Sequence, residues 1–133
     1  MRKPTQFTYR SVEIDLIAGH LGRIAVFLDD EGRMDVSARR VNRLTKGAVA
    51  RLIKSGRFQK MKQGQVFTLN LPVGMAADAV DIVCLSRRAT IEQARAAGAS
   101  LAKIRGDADL LMATGNAKYS AQIAFGLAMR DYN

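Results

Sequence analysis

The chain has 133 residues, of which 48% are hydrophobic and 25% are charged, a balance typical of one globular domain rather than a disordered segment. No stretch approaches the roughly 20 uncharged apolar residues that a membrane helix needs, so we expect no membrane partner. No apolar segment follows the charged start, and we expect no signal peptide. The single cysteine cannot form an intrachain disulfide, which favours a cytoplasmic protein.

The positive charge is concentrated in one part of the sequence. The formal net charge is +9, and the segment from Arg33 to Lys62 holds ten basic residues against one acidic residue, Asp35. The other 103 residues hold eleven basic and eleven acidic side chains and are therefore neutral overall. Such a local excess indicates a surface that attracts an acidic partner.

The first half of the sequence predicts two strands and one long helix. Residues 6–11 alternate polar and apolar side chains, and residues 24–28 form a continuous apolar run, as buried strands do. A turn is expected at 29–32. Asp35 is a suitable N-cap for a helix over about 35–55. The apolar stripe of this helix has spacings of three, four and four residues and consists of Val41, Leu44, Ala48 and Leu52.

The second half alternates strands and helices. Strands are predicted at 66–71, 80–85 and 109–113. Thr90 and Gln93 form a capping box for a helix that ends near Gly106. A last helix, from about Lys118, continues to Asn133 with no terminating glycine or proline, which suggests a longer parent protein.

The order β-β-α-β-β-α-β-α predicts the fold class. Buried strands that alternate with amphipathic helices are typical of a three-layer α/β/α sandwich around a mixed, partly parallel sheet. We find no internal repeat or linker, so residues 1–133 are expected to form one domain.

The sequence shows no recognisable active site. His20 and Cys84 are the only soft metal ligands, and we expect a surface loop for His20 and a core position for Cys84. The acidic run at 29–31 lacks the ligand spacing of a calcium loop and fits a turn. No nucleophile elbow, P-loop or dinucleotide fingerprint is present. We therefore predict no catalytic or metal-binding residue in this chain.

Two weaker candidates for binding remain. The predicted basic helix is a possible contact for nucleic-acid phosphates or an acidic protein surface, and the alternative is a solvated helix face. Its candidate residues are Arg39, Arg40, Arg43, Lys46, Arg51 and Lys54. The second candidate is an anion site at a helix start, formed by Thr114, Gly115 and Asn116, although any strand-to-helix turn could use these residues.

Several stretches together resemble the N-terminal domain of bacterial leucyl aminopeptidases. They are the apolar strand at 24–28, the helix segment at 39–52, the strand at 67–71 and the Thr-Gly-Asn turn at 114–116. The resemblance covers essentially the whole chain and is one of pattern, because this domain of the family carries no catalytic motif.

The resemblance implies a non-catalytic domain with a macro-domain-like fold. In the family, a long helix joins this domain to a C-terminal catalytic domain that binds two divalent metal ions, zinc or manganese, and releases N-terminal residues from peptides. The segment at about 117–133 would begin that connector. The resemblance also implies a homo-hexamer to which this domain contributes, and some bacterial members bind DNA.

One departure bears on a third possibility. Macro domains bind ADP-ribose through glycine-rich loops, and the long glycine-rich phosphate loop is missing here. Binding of ADP-ribose or another nucleotide is therefore a less favoured alternative than an accessory domain or a nucleic-acid-binding module.

Overall fold

A computed structural model describes residues 7–8, 14–86, 88–105 and 110–113 of the chain. Five strands and five helices are formed within these residues. The strands are β1 (Phe7–Thr8), β2 (Arg23–Leu28), β3 (Val66–Asn70), β4 (Ala79–Cys84) and β5 (Leu110–Ala113). The helices are α1 (Ile14–Gly19), α2 (Val36–Leu44), α3 (Ala48–Lys54), α4 (Gly56–Gln59) and α5 (Ile91–Arg105). None of the helices in these residues is long and apolar enough to cross a membrane.

The strands form one open, mixed sheet with the order β1-β5-β2-β4-β3. Neighbours among β1, β5, β2 and β4 are parallel, whereas β3 runs antiparallel to β4. The register pairs Arg23 with Ala79 and Leu28 with Cys84, so β2 and β4 begin and end together. The carboxyl ends of the parallel strands therefore lie at one edge of the sheet, and their amino ends lie at the opposite edge.

Alternation along each strand divides the core into two layers. Ile24, Val26 and Leu28 of β2 pack, with Val80 and Ile82 of β4, against buried residues of helices α1 to α4. The opposite face holds the intervening strand residues. There Ala25, Val83, Leu110 and Met112 pack against α5, which contributes Ala94, Ala97, Leu101 and Ala102. The predicted three-layer α/β sandwich is confirmed.

The single helix predicted over 35–55 is wrong in one respect, because the chain leaves the helical conformation at Thr45–Gly47. Lys46 and Gly47 have φ values of 56° and 89°, in the left-handed region that ends helices. The Thr45 hydroxyl donates to the Val41 carbonyl, and the Gly47 N–H donates to the Asn42 carbonyl at 2.7 Å. The Asn42 side chain then accepts from the Ala50 N–H of α3 at 2.9 Å. Local hydrogen bonds thus end α2 and start α3.

Both predicted N-caps are confirmed. The Asp35 carboxylate accepts from the Ala38 N–H at 2.8 Å. The Thr90 hydroxyl accepts from the Gln93 N–H, and the Gln93 amide accepts in turn from the Thr90 N–H, which is the reciprocal pair of a capping box. These contacts fix the starts of α2 and α5.

Other sequence predictions differ from the structure in extent. Helix α1 was not expected, since six residues are too few to show a helical period. Only Phe7–Thr8 of the strand predicted at 6–11 lies in the described residues, and it pairs with β5. The helix predicted from about Lys118 lies outside the described residues.

Candidate functional site

The basic residues predicted as a contact surface lie on α2, on α3 and in the turn between them. Five of the six side chains are exposed, and these are Arg39, Arg43, Lys46, Arg51 and Lys54. On each helix they lie opposite the buried positions, which are Ala38 and Val41 on α2 and Val49 and Leu52 on α3. We call these five side chains the basic surface.

The turn at Lys46 holds the two halves of the basic surface together. The Arg51 guanidinium donates from Nη1 to the Lys46 carbonyl oxygen at 2.8 Å. This hydrogen bond links the first turn of α3 to the end of α2. Because the side chains face solvent, a polyanion could approach them without displacing any core residue.

Arg40, the sixth candidate, differs from the other five. Its side chain is half-buried, and its Nε–H is buried with no hydrogen-bond partner in the described part of the chain. An unsatisfied buried donor is costly, and a group turned inward is poorly placed to meet an external phosphate. Arg40 is therefore not included in the basic surface, and its contact with an acidic partner stays a prediction.

The structure also brings an aromatic ring to the edge of the basic surface. The Arg57 guanidinium lies 5.2 Å from the centroid of the Phe67 ring, within the range of a cation–π contact. Beside this pair is an open cavity of about 420 Å³, lined also by Lys60, Met61 and Val66. Phe58, the aromatic residue that follows Arg57 in the sequence, is buried. The Arg57–Phe67 contact depends on how β3 packs beside α4 and has no local sequence signal.

The carboxyl edge of the sheet holds the acidic run 29–31, and its geometry is that of a turn. One Asp29 carboxylate oxygen accepts from the N–H groups of Glu31 and Arg33, at 3.0 and 2.8 Å. Glu31 pairs with the exposed Arg33 side chain. Among the described residues no three His, Cys, Asp or Glu side chains are grouped as metal ligands would be.

Cys84 ends β4 at the same edge and is buried, as predicted. Burial raises the pKa of its thiol, and the carboxylates of Asp30 and Asp29 raise this pKa further. A cavity of about 430 Å³ lies between Cys84 and Asp30. The protonated thiol is a poor nucleophile in this setting. His20 lies in the loop between α1 and β2, as expected, and the anion-site candidates Thr114, Gly115 and Asn116 lie outside the described residues.

A buried ion pair on the α5 side of the sheet escaped the sequence prediction. Arg23 donates from Nε and Nη2 to the two carboxylate oxygens of Asp81, at 3.0 and 2.7 Å. The Thr68 hydroxyl donates to the same carboxylate at 2.7 Å. The hydrogen bond to Asp81 raises the pKa of Arg23, against the opposing effect of burial. Three strands are thus joined by one network, and its role is structural.

Comparison with known proteins finds relatives that share one description. No protein-family model matches the chain. Three bacterial relatives match the chain, and each is described as "Probable cytosol aminopeptidase". The relative from Cereibacter sphaeroides is 40% identical over 133 residues, which are 100% of this chain and 27% of that protein. The relative from Dinoroseobacter shibae is 44% identical over 120 residues, 90% of this chain and 25% of that protein.

The third relative, from Caulobacter vibrioides, is 31% identical over 127 residues, which are 91% of this chain and 26% of that protein. The chain therefore spans about a quarter of the length of the curated relatives it matches. It belongs to the cytosol (leucyl) aminopeptidase family, and its extent is consistent with the N-terminal domain that the sequence resembles.

Proposed function

We propose that this chain is the non-catalytic N-terminal domain of a cytoplasmic leucyl aminopeptidase and that it supports the architecture of a homo-hexamer. The observation that carries the proposal is the similarity of at least nine-tenths of the chain to only about a quarter of each longer relative. The remaining three quarters would form the catalytic domain. There two divalent ions, zinc or manganese, would activate a water molecule for attack on the first peptide bond.

The positions of several acidic side chains support a structural role. Asp29 organises a turn, Asp35 caps α2, and Asp81 is buried in an ion pair between strands. Each of these carboxylates already has hydrogen-bond donors from the fold itself. Loss of any one of them would therefore affect folding before it affected chemistry.

The test is the size and activity of the native gene product. An antibody raised against residues 1–133 is used to precipitate the protein from the source cell. We expect a subunit roughly four times heavier than 14.5 kDa, an assembly of six subunits, and hydrolysis of leucine amide. A chelator should abolish the hydrolysis, and Zn²⁺ or Mn²⁺ should restore it. A product of 14.5 kDa without hydrolysis would refute the proposal.

A nucleic-acid contact on the basic surface is a second candidate function. The five exposed cations, with Arg57 and Lys60 close by in the sequence, present positive charge on the side of the sheet that α1 to α4 cover. Such a surface binds phosphates without reading sequence, and the affinity falls steeply with salt because counterions are released. This function is compatible with an accessory domain.

Duplex DNA titrated by fluorescence anisotropy at several salt concentrations tests the second candidate. Replacing Arg39 and Arg43 by alanine should weaken binding on all sequences and reduce the salt slope by about 2. Arg88→Ala with Lys103→Ala is the matched control, since both are exposed and remove the same charge elsewhere. Equal losses in the two double variants, or no binding at low salt, would argue against this function.

A further inference from the structure

The three most exposed large apolar side chains of the described residues lie at one end of the sheet. Leu71 is 77% exposed, Leu21 is 75% exposed and Val73 is 66% exposed. Leu21 lies just before β2, whereas Leu71 and Val73 follow β3. Since β3 is antiparallel to β4, all three lie at the amino edge of the parallel strands. We call these three side chains the amino-edge patch.

Backbone hydrogen bonds join the two loops that carry the patch. The Leu71 N–H donates to the Asp78 carbonyl at 2.8 Å, and the Asp78 N–H donates to the Gly22 carbonyl at 2.9 Å. These bonds extend the β3–β4–β2 ladders by one position. Leu71 and Gly22 are therefore about two strand spacings apart, roughly 10 Å. Leu21 and Leu71 thus lie on one surface, and backbone hydrogen bonds join the loops that carry them.

The loop after β3 is also fixed from beneath. Gly74 has a φ of 82°, and a Cβ at this residue would collide with the Leu44 carbonyl at the end of α2. Leu71 itself has a φ of 49°, which is unfavourable for a residue with a Cβ. The fold therefore presents Leu71 to solvent in a strained backbone conformation, and the exposed Val73 lies in the same loop. Apolar side chains exposed singly are common, whereas exposed apolar side chains grouped on one surface often mark an interaction site.

We propose that the amino-edge patch is the surface on which the rest of the same polypeptide docks. This inference rests on the proposed function, in which this chain is one domain of a longer protein. The matched relatives are about four times as long as the chain, so a large tethered body is available to cover the patch. A tethered partner also suits the small size of the patch. Its effective concentration is high, whereas two free molecules need an interface of about 1,000 Å² or more.

The chemistry of the surroundings favours an apolar partner over a polyanion. Arg23, the nearest cation in sequence to Leu21, is neutralised by Asp81. Asp78, beside Leu71, is exposed and acidic. The patch is thus distinct in charge from the basic surface on α2 and α3, and the docking segment should present aliphatic or aromatic side chains.

Hydroxyl-radical footprinting of the full-length gene product tests this docking. Leu21, Leu71 and Val73 are compared with Ile91 and Val36, which are 50% and 46% exposed and lie outside the patch. If the patch is covered, we expect the three patch residues to be labelled at least three-fold more slowly than Ile91 and Val36. Labelling of Leu71 faster than Ile91, in proportion to their exposures, would overturn the inference.

The occupant is identified by cross-linking within the same full-length protein. A photoreactive benzoylphenylalanine is incorporated in place of Leu71, and heavy and light isotopic forms are mixed and assembled together. Cross-links only within one isotopic form, to residues beyond 133, support docking of the same polypeptide. Heavy-to-light cross-links would instead assign the patch to a neighbouring subunit and would overturn the proposal.

A substitution gives an independent readout. Replacing Leu71 and Val73 by aspartate should increase proteolytic cleavage between the two parts of the full-length chain several-fold, whereas Ile91→Asp should not. Equal cleavage of the two variants would contradict docking at the patch.

Failure of the docking proposal is distinguishable from failure of the proposed function. A long, active aminopeptidase with a fully labelled patch refutes only the docking, whereas a 14.5 kDa product refutes the function itself.

Discussion

Arg23 and Asp81 are 58 residues apart in the chain, yet their side chains form two hydrogen bonds beneath the sheet surface. The Asp81 side chain is fully buried and that of Arg23 is 17% exposed. The pair joins two neighbouring parallel strands, β2 and β4, and the Thr68 hydroxyl extends it to β3. A buried carboxylate is tolerated here because three donors surround it.

Removing one partner of this pair should be strongly destabilising. Arg23→Ala leaves the buried Asp81 carboxylate with Thr68 as its one side-chain donor among the described residues. We expect a loss of about 3–5 kcal/mol in the free energy of unfolding. Urea unfolding followed by circular dichroism measures the change. Glu31→Ala, which breaks the exposed pair with Arg33, is the control and should cost no more than about 1 kcal/mol. A similar cost for both variants would mean that the Arg23–Asp81 pair is not buried in solution.

Gly74→Ala should be among the most destabilising small substitutions in the chain. The added methyl group meets the Leu44 carbonyl, and the φ of 82° is unfavourable for alanine. We expect a loss of roughly 3 kcal/mol in the free energy of unfolding, since backbone strain and displacement of a helix end combine.

Gly56→Ala is the matched control for this substitution. A Cβ at Gly56 has no neighbouring atom within 4 Å. Its effect should lie within about 1 kcal/mol of zero. If Gly74→Ala were equally neutral in urea unfolding, the loop after β3 would not lie against α2 as described.

The Cys84 thiol should be slow to react in the folded protein. Burial and two nearby carboxylates raise its pKa, so the reactive thiolate is scarce near about pH 8. Alkylation by iodoacetamide, followed by mass spectrometry, should be at least ten-fold slower in the native protein than in urea.

The raised pKa of Cys84 also predicts the direction in which stability changes with pH. The folded state favours the protonated thiol, so this contribution is fully present below the pKa of the unfolded chain. It is lost as the pH rises through the higher pKa of the folded state. Cys84→Ala should flatten the decline of stability above about pH 9. An unchanged decline would show that another group causes it.

Asp35 affects both the stability of α2 and the charge of the basic segment, and substitutions can separate these two effects. It caps α2 and is also the only acidic residue of the basic segment. Asp35→Ala should cost about 1 kcal/mol in stability and should strengthen binding to duplex DNA by removing a negative charge. Asp35→Asn should strengthen DNA binding equally while keeping most of the cap. Thermal unfolding and anisotropy titration measure the two effects, and weaker binding by either variant would argue against a polyanion surface.

The features that the sequence predicted correctly are those with local causes. The apolar run of β2 and the capping box at Thr90 depend on neighbouring residues, and each is found as expected. The break at Thr45–Gly47 was missed because the apolar stripe from Val41 to Leu52 fits one continuous helix. What ends α2 is the left-handed backbone at Lys46 and Gly47, in a helix end that also packs against Gly74.

The candidate site likewise has features with local causes and features that depend on tertiary packing. A count of charges located six candidate cations, and the five that make up the basic surface are exposed as a helical face should be. The inward Nε of Arg40 and the contact of Arg57 with Phe67 depend on tertiary packing. The pairing of Arg23 with Asp81 depends on the strand order, which no local pattern encodes. Composition and periodicity do not show which distant segments pair in the sheet, so contacts that depend on this pairing could not be predicted.

Strand β3 lies at the edge of the sheet, close to the positively charged side chains of Arg57 and Lys60. In the described part of the sheet β3 is an edge strand that pairs with β4 alone, and its five residues carry no charge and no proline. An uncharged, mostly apolar edge of this kind can recruit strands from other molecules and initiate aggregation. Arg57 and Lys60 line the cavity at the start of this strand, beside Val66 and Phe67. Parallel pairing of two such edges would bring these cations together, so their mutual repulsion disfavours that arrangement.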